Sequence, residues 1–285
     1  MKVGIVGLGL MGGSFGRVLV KKGHEVYGVD KSESVMLKAE MMRAITRPLT
    51  HASVGELDML VIALMPEDFA SVANEYLDLL KPGAIMLDFC GVKRSICAEM
   101  SDMAVRRPDV VFVGGHPMAG REFSGIEHSS ITLFDRASMI LVNVNADIFA
   151  LDNIKQFFLE LGFGKVVLTT AENHDAMVAY TSQLCHVVSN AFIKNDSAAR
   201  HTGYSAGSYR DLTRVARLNP AMWTELIMQN RDKTSQELDE FISNLLAYKT
   251  AVDNGDRDEL MRLLAEGNER KLAIDTRSKN DGANG

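Results

Sequence analysis

VGIVGLGLMGGSFG, residues 3–16, decides the fold. A Val/Ile run long enough for one buried strand breaks at Gly7. Gly7-Leu8-Gly9-Leu10-Met11-Gly12 then reads G-x-G-x-x-G and leads into a helical pattern at 11–22. Asp30 closes the next apolar run, HEVYGVD (24–30). In that setting each glycine has a mechanical job. Gly7 allows a tight turn, Gly9 lets a pyrophosphate approach the backbone, and Gly12 lets helix and strand pack closely. The helix N-terminus supplies unpaired N–H groups and a favourable dipole for the anion. Asp30 would accept bonds from the adenosine ribose hydroxyls and repel a 2′-phosphate, favouring NAD over NADP. Neighbouring Lys31 weakens that discrimination. Leu64 and Met65, at the end of DMLVIAL (58–64), would border the same cofactor. The bland alternative is a glycine turn that binds no dinucleotide.

The pattern continues along the chain. AIMLDF (83–88), VVFVGG (110–115), SMILVNV (138–144) and KVVLTT (165–170) also read as strands buried on both faces. Helical patterns at 66–80, 93–104 and 147–161 lie between them. Such alternation predicts an α/β fold, a Rossmann-type doubly wound and mostly parallel sheet. After residue 170 only helix-like segments follow, with Asn219 and Pro220 placed as an N-cap and first helical position. The expected division is an NAD-binding domain over 1–170 and an all-helical substrate and dimerisation domain over 171–285. The polar end SKNDGANG (278–285) reads as a tail. Long apolar helices in the second half call for a partner surface, and a homodimer through them is expected.

Composition narrows the classes. The net charge is −6 and no Lys/Arg run stands out, which argues against a nucleic-acid partner and leaves a small-molecule substrate. Three cysteines, Cys90, Cys97 and Cys185, lack C-x-x-C spacing, and the histidines lack metal spacing. Neither a disulfide framework nor a metal site is expected, and a reducing cytoplasm fits best. No stretch approaches the ~18 apolar residues of a membrane helix.

GGHPMAGREFSG, residues 114–125, sets a histidine at the carboxyl end of a strand, the side of a doubly wound sheet where ligands bind. Removing hydride from a carbinol requires a base for the hydroxyl proton, and imidazole suits that task. Read alone, His116 is equally a base or a side chain capping its own turn.

Three further stretches bear on that choice. VGGHPMAGREFSG (113–125), HDAMVAYTSQLCH (174–186) and YRDLTRVA (209–216) follow the glycine fingerprint in order. Together they resemble the prephenate/arogenate (cyclohexadienyl) dehydrogenase family of tyrosine biosynthesis, over nearly the whole chain from Gly7 to about Trp223. The resemblance implies NAD-dependent oxidative decarboxylation of prephenate to 4-hydroxyphenylpyruvate, or of arogenate to tyrosine. It implies that His116 accepts the proton of the ring 4-hydroxyl while the hydride passes to NAD. It implies further that His186 and Gln183, from the family's S-H-L-P-H segment, contact substrate. Arg214 would grip a substrate carboxylate, with Asp211, Glu122 and Trp223 around it. Lys93 could meet an anionic substrate or simply cap its own helix.

The match has departures. The family's Asp-x-x-Ser-Val-Lys reads Asp88-Phe89-Cys90-Gly91-Val92-Lys93, so the serine expected to bond the histidine and the substrate hydroxyl is missing at Gly91. Cys90, a backbone group or a water could stand in for it. The first histidine of S-H-L-P-H is Gln183 and its proline is Cys185. A β-hydroxyacid-type dehydrogenase, which shares the GLGLMG start and a helical second domain, is one rival, and the losses at Gly91 and Gln183 leave a catalytically weakened NAD-binding paralogue as another. His174-Asp175 reads as the start of a long helix rather than a catalytic pair.

Overall fold

The computed structural model describes residues 1–120 and 123–283, with residues 278–283 as backbone only. An eight-stranded sheet runs through it in the order β3-β2-β1-β4-β5-β6-β7-β8. Its members are β1 (Lys2–Val6), β2 (Glu25–Val29), β3 (Arg47–Pro48), β4 (Met59–Ile62), β5 (Ile85–Asp88), β6 (Val111–Pro117), β7 (Ser138–Asn143) and β8 (Lys165–Thr169). Neighbours pair in parallel except β6 and β7, where His116 lies opposite Ile140. Strand order reverses beside β1, between β2 and β4. That crevice at the carboxyl ends is where a doubly wound sheet binds ligands.

Helices α1 (Leu10–Lys21), α2 (Glu33–Met41), α3 (His51–Val54), α4 (Pro66–Leu77), α5 (Arg94–Arg106) and α6 (Ile148–Glu160) connect the strands. The seven strands read from sequence are all present. The two-residue β3 and the helices α2 and α3 are additions that the hydrophobic pattern did not signal. Apolar side chains bury on both sheet faces. Phe15, Phe89, Phe134 and Phe158 form one aromatic cluster, and Phe69, Met86, Met100 and Phe112 belong to the opposite core. The central strands β4 and β5 are almost wholly buried, which explains their unbroken apolar sequence.

From Ala171 onward the described residues contain helices and no strand. α7 (Ala171–Val178) passes into a π-helical segment, Ala179–Leu184, and then α8 (Cys185–Phe192). α9 (Gly207–Thr213), α10 (Pro220–Gln229), α11 (Arg231–Asp253) and α12 (Arg257–Ala283) follow. The Asn219 side chain accepts the Met222 N–H at 3.2 Å with Pro220 behind it, the cap that the sequence predicts. Helix α12 runs through Ala283, into the segment that reads as a tail by composition. By compactness the chain forms two units, Met1–Thr234 and Ser235–Gly285. In the second, α12 and the rest of α11 leave Ile242, Leu245, Leu246, Met261, Leu264 and Leu272 about half exposed or more. Among the described residues no helix is long and apolar enough to cross a membrane.

Candidate active site

The carboxyl edge of the sheet assembles the predicted cofactor residues. Gly7 has φ +89°, and a Cβ there would lie 2.5 Å from the Ala63 carbonyl oxygen, so the turn excludes any side chain. A Cβ on Gly12 would collide with the Gly7 carbonyl, which is the close helix–strand contact expected of the third glycine. A Cβ on Gly9 would meet nothing within 4 Å. Gly9 thus borders open space, where α1 begins with no side-chain cap and no acidic residue in its first turn. Such an end has N–H groups to spare for an anion.

Asp30 is fixed by two backbone donors, Leu8 N–H to Oδ2 at 2.9 Å and Ser32 N–H to Oδ1 at 3.0 Å. Each oxygen keeps a further lone pair for a ribose hydroxyl. Beside it a concavity of about 320 Å³ is lined by Lys31, Met36, Leu37 and two glutamates. Leu64 and Met65 follow β4 and lead into α4, half-buried next to Gly7. These residues fit a dinucleotide: a bare glycine, an uncapped helix start and an oriented carboxylate face one crevice.

His116, near the end of β6, is half-buried. Its Nδ1 lies 2.8 Å from Nε2 of His174, whose own Nδ1 lies 2.8 Å from Asp175 Oδ1. Asp175 is completely buried and accepts three more bonds, from Lys93 N–H (2.7 Å), Arg94 N–H (3.0 Å) and Arg94 Nε (3.2 Å). Burial alone would raise the Asp175 pKa, yet the bonds from His174 and the two amides leave it below the usual carboxylate value. Burial pushes both histidines the other way. His116 falls well below the ordinary imidazole value, helped by the adjoining His174 and the Lys93 ammonium. His174-Asp175 therefore does more than open a helix, and that part of the sequence reading is corrected.

Lys93 is corrected as well. Its side chain is fully buried, and Nζ donates to the Asp88 carboxylate, the Cys90 carbonyl (2.8 Å) and the Val92 carbonyl (3.1 Å). All three donors are used inside the protein, so none remains for a substrate anion. Asp88 also accepts Cys90 N–H (2.7 Å) and Gly115 N–H (3.0 Å), which pins the strand that carries His116.

Gln183 is likewise internal. Its amide donates to the Leu226 carbonyl at 2.9 Å, and its oxygen accepts from Asn230 (2.9 Å) and Thr234 (2.6 Å). It ties the π-helical segment to α10 and the start of α11, a structural joint in place of the expected substrate contact. Arg94 strengthens that joint through Asp232 at 2.8 Å and Asn230 at 2.9 Å.

A second cluster gathers around His186. Its Nδ1 pairs with the Ser182 carbonyl at 2.8 Å, and its ring lies against Trp223 with centroids 3.9 Å apart. Burial lowers its pKa, the Ser182 carbonyl opposes this, and the Arg214 charge lowers it further, so Arg214 acts on His186. Ser189 and Asn190 of α8 donate to the carbonyls of Leu212 (2.7 Å) and Ala216 (3.0 Å) and hold the R-D-L-T-R segment alongside. Asp211 stands exposed on α9. Glu122 lies outside the described residues. Leu226, one turn beyond Trp223, sits over Gly91: a Cβ there would lie 3.0 Å from its Cδ2. Cys90 does not stand in for the missing serine, since its thiol points to the Leu64 carbonyl at 3.5 Å and burial raises its pKa well above the ordinary value.

Among the described residues no cluster of His, Cys, Asp and Glu could hold a metal ion. The residues missed from sequence are Asp88, Arg94, His174, Asp175 and Asn230. Of these, Asp88 opens the segment that resembles the family's Asp-x-x-Ser-Val-Lys, and the His-Asp pair is visible as adjacent residues.

Two family models cover the chain: the nucleotide-binding domain of prephenate dehydrogenase over residues 15–168 and its dimerization domain over 170–266. The chain belongs to the prephenate dehydrogenase family. A cyclohexadienyl dehydrogenase of Zymomonas mobilis is 30% identical over 290 residues, covering 96% of both chains. The arogenate dehydrogenase structure from Synechocystis superposes with a TM-score of 0.81 at 27% identity, over 96% of this chain and all of that one. Prephenate dehydrogenase from A. aeolicus, in complex with hydroxyphenyl propionate and NAD+, gives 0.82 at 26% identity over 96% and 98%. Family membership makes this chain an NAD-dependent oxidoreductase with a dimerisation domain.

Proposed function

We propose that the chain oxidatively decarboxylates prephenate or arogenate, with His116 as the base for the ring 4-hydroxyl. The observation that carries this is the His116 ring itself, fixed through Nδ1 at the carboxyl edge of the sheet. Its depressed pKa keeps it unprotonated at neutral pH. Bound NAD supplies the hydride acceptor. His116 Nε2 takes the hydroxyl proton as hydride departs from the carbon bearing that hydroxyl. Loss of the ring carboxylate as carbon dioxide then leaves an aromatic product. Gly7, Leu8, Gly9, Leu10, Met11, Gly12, Asp30, Lys31, Leu64 and Met65 hold the dinucleotide.

Arg214 binds a substrate carboxylate, and His186, packed against Trp223, borders the same pocket. The cofactor belongs to 1–170 and substrate binding and dimerisation to 171–285. The half-exposed apolar side chains of α11 and α12 support a homodimer. The unpaired thiols of Cys90, Cys97 and Cys185 suit a reducing cytoplasm.

The test follows the absorbance of reduced cofactor with NAD and either substrate. Turnover of at least one supports the reading. NAD binding without turnover of either overturns it. Arg214→Ala should raise KM by about 10–100-fold, the value of a charged hydrogen-bonded contact, with a smaller change in kcat.

A further inference from the structure

His116 has two ring nitrogens, and only one can face the substrate without a proton. Among the described residues Nδ1 has a partner, His174, and Nε2 has none. The Asp175 end of the chain of bonds decides which nitrogen carries the hydrogen. Asp175 receives the amides of Lys93 and Arg94 together with the Arg94 guanidinium, so it is held as a carboxylate and can only accept. His174 must therefore donate Nδ1–H to Asp175, which leaves its Nε2 as an acceptor. His116 must in turn donate Nδ1–H to that nitrogen.

We propose that Asp175 and His174 act as positioning residues that fix the tautomer of His116, presenting a bare Nε2 to the substrate hydroxyl. The proposal rests on the reading of His116 as the base. The proton leaving the hydroxyl bonds to Nε2. The imidazolium that forms keeps its other N–H directed at His174, with the buried carboxylate behind it. Among the described residues no other element supplies a competing donor at Nδ1. The charges around the pair are Asp175, Lys93 and Asp88, and Lys93 is bonded to Asp88.

The experiment reads tautomer and turnover separately in the full chain. The 15N chemical shifts of the His116 ring, with NAD bound at neutral pH, should place the hydrogen on Nδ1. Asp175→Asn presents an amide donor to His174, reverses the chain of bonds and should move the hydrogen to Nε2. Its kcat should fall by up to about 10⁴-fold, the loss seen when a catalytic histidine is held in the wrong tautomer. Should Asp175→Asn not fold, two variants of His174 decide the matter. His174→Gln keeps an acceptor for Nδ1–H and should lose about tenfold in kcat, whereas His174→Leu should lose about 100-fold, both with KM near the parent value. Hydrogen on Nε2 in the parent protein, or equal losses in the Gln and Leu variants, overturns the proposal. His116→Asn separates the two readings. Full turnover in that variant defeats the base itself, whereas a dead His116→Asn beside a reversed tautomer defeats only the positioning role.

Discussion

His116→Asn should lower kcat for NAD reduction by about 10²–10⁴-fold while leaving NAD affinity unchanged. The size of the effect follows from what asparagine keeps and loses. Its amide can still bond His174, so the loop stays in place. It cannot accept a proton at neutral pH, so the hydroxyl must ionise to water. Stopped-flow mixing with prephenate and with arogenate measures the loss, and titration of cofactor fluorescence measures the retained affinity. Unchanged kcat would remove His116 from the chemistry.

The same histidine sets the pH dependence. Burial, His174 and Lys93 lower its pKa well below the ordinary 6.5. With His116 as the proposed base, the imidazole is unprotonated at pH 6.5, and kcat/KM should fall on the acid side only below that value. The sign for folding is the same. His116 and His174 take up protons near 6.5 when unfolded but resist them when folded, so stability falls as pH drops below 6.5.

Lys93→Met should destabilise the fold by about 3–5 kcal/mol, lowering the melting temperature by roughly 10 °C. Asp88 and Lys93 are both wholly buried, and removing the ammonium leaves a carboxylate with only the Cys90 and Gly115 amides as donors. Two carbonyls, of Cys90 and Val92, lose their partner too. Adding Asp88→Asn removes the stranded charge and should recover much of the loss. Chemical denaturation of the two variants beside the parent tests this. A single variant as stable as the parent would mean that the pair contributes nothing to the fold. The prediction separates two roles for Lys93, because a substrate-binding lysine would instead change KM and leave the melting temperature alone.

The crevice was legible from sequence because its parts are backbone geometry. A residue without a side chain at Gly7, Gly9 and Gly12, and a carboxylate at the end of the second strand, are local requirements of one turn. They read directly from residue type and spacing. His116 was legible for a similar reason: two glycines, a proline and a strand end mark one loop. The Asn219-Pro220 cap belongs to the same class.

The assignments that changed concern long-range partners. The resemblance places Gln183 among the substrate contacts, and Lys93 reads either as an anion contact or as a cap on its own helix. What they meet depends on segments far away in the chain. Asp88 and the carbonyls of Cys90 and Val92 enclose the lysine, and Asn230 and Thr234, some 50 residues on, enclose the glutamine. His174-Asp175 shows the converse. Two residues that suit a helix start gain a role only because β6 brings His116 against them from 58 residues away.

Sequence by itself thus determined the doubly wound sheet and the dinucleotide turn, and marked the loop that carries His116, because strand burial, glycine geometry and loop chemistry are local constraints. Tertiary structure alone decided which polar side chains are spent inside the protein and that, among the described residues, His116 Nδ1 meets His174. Hydrogen-bond capacity is finite, and only packing shows who consumes it.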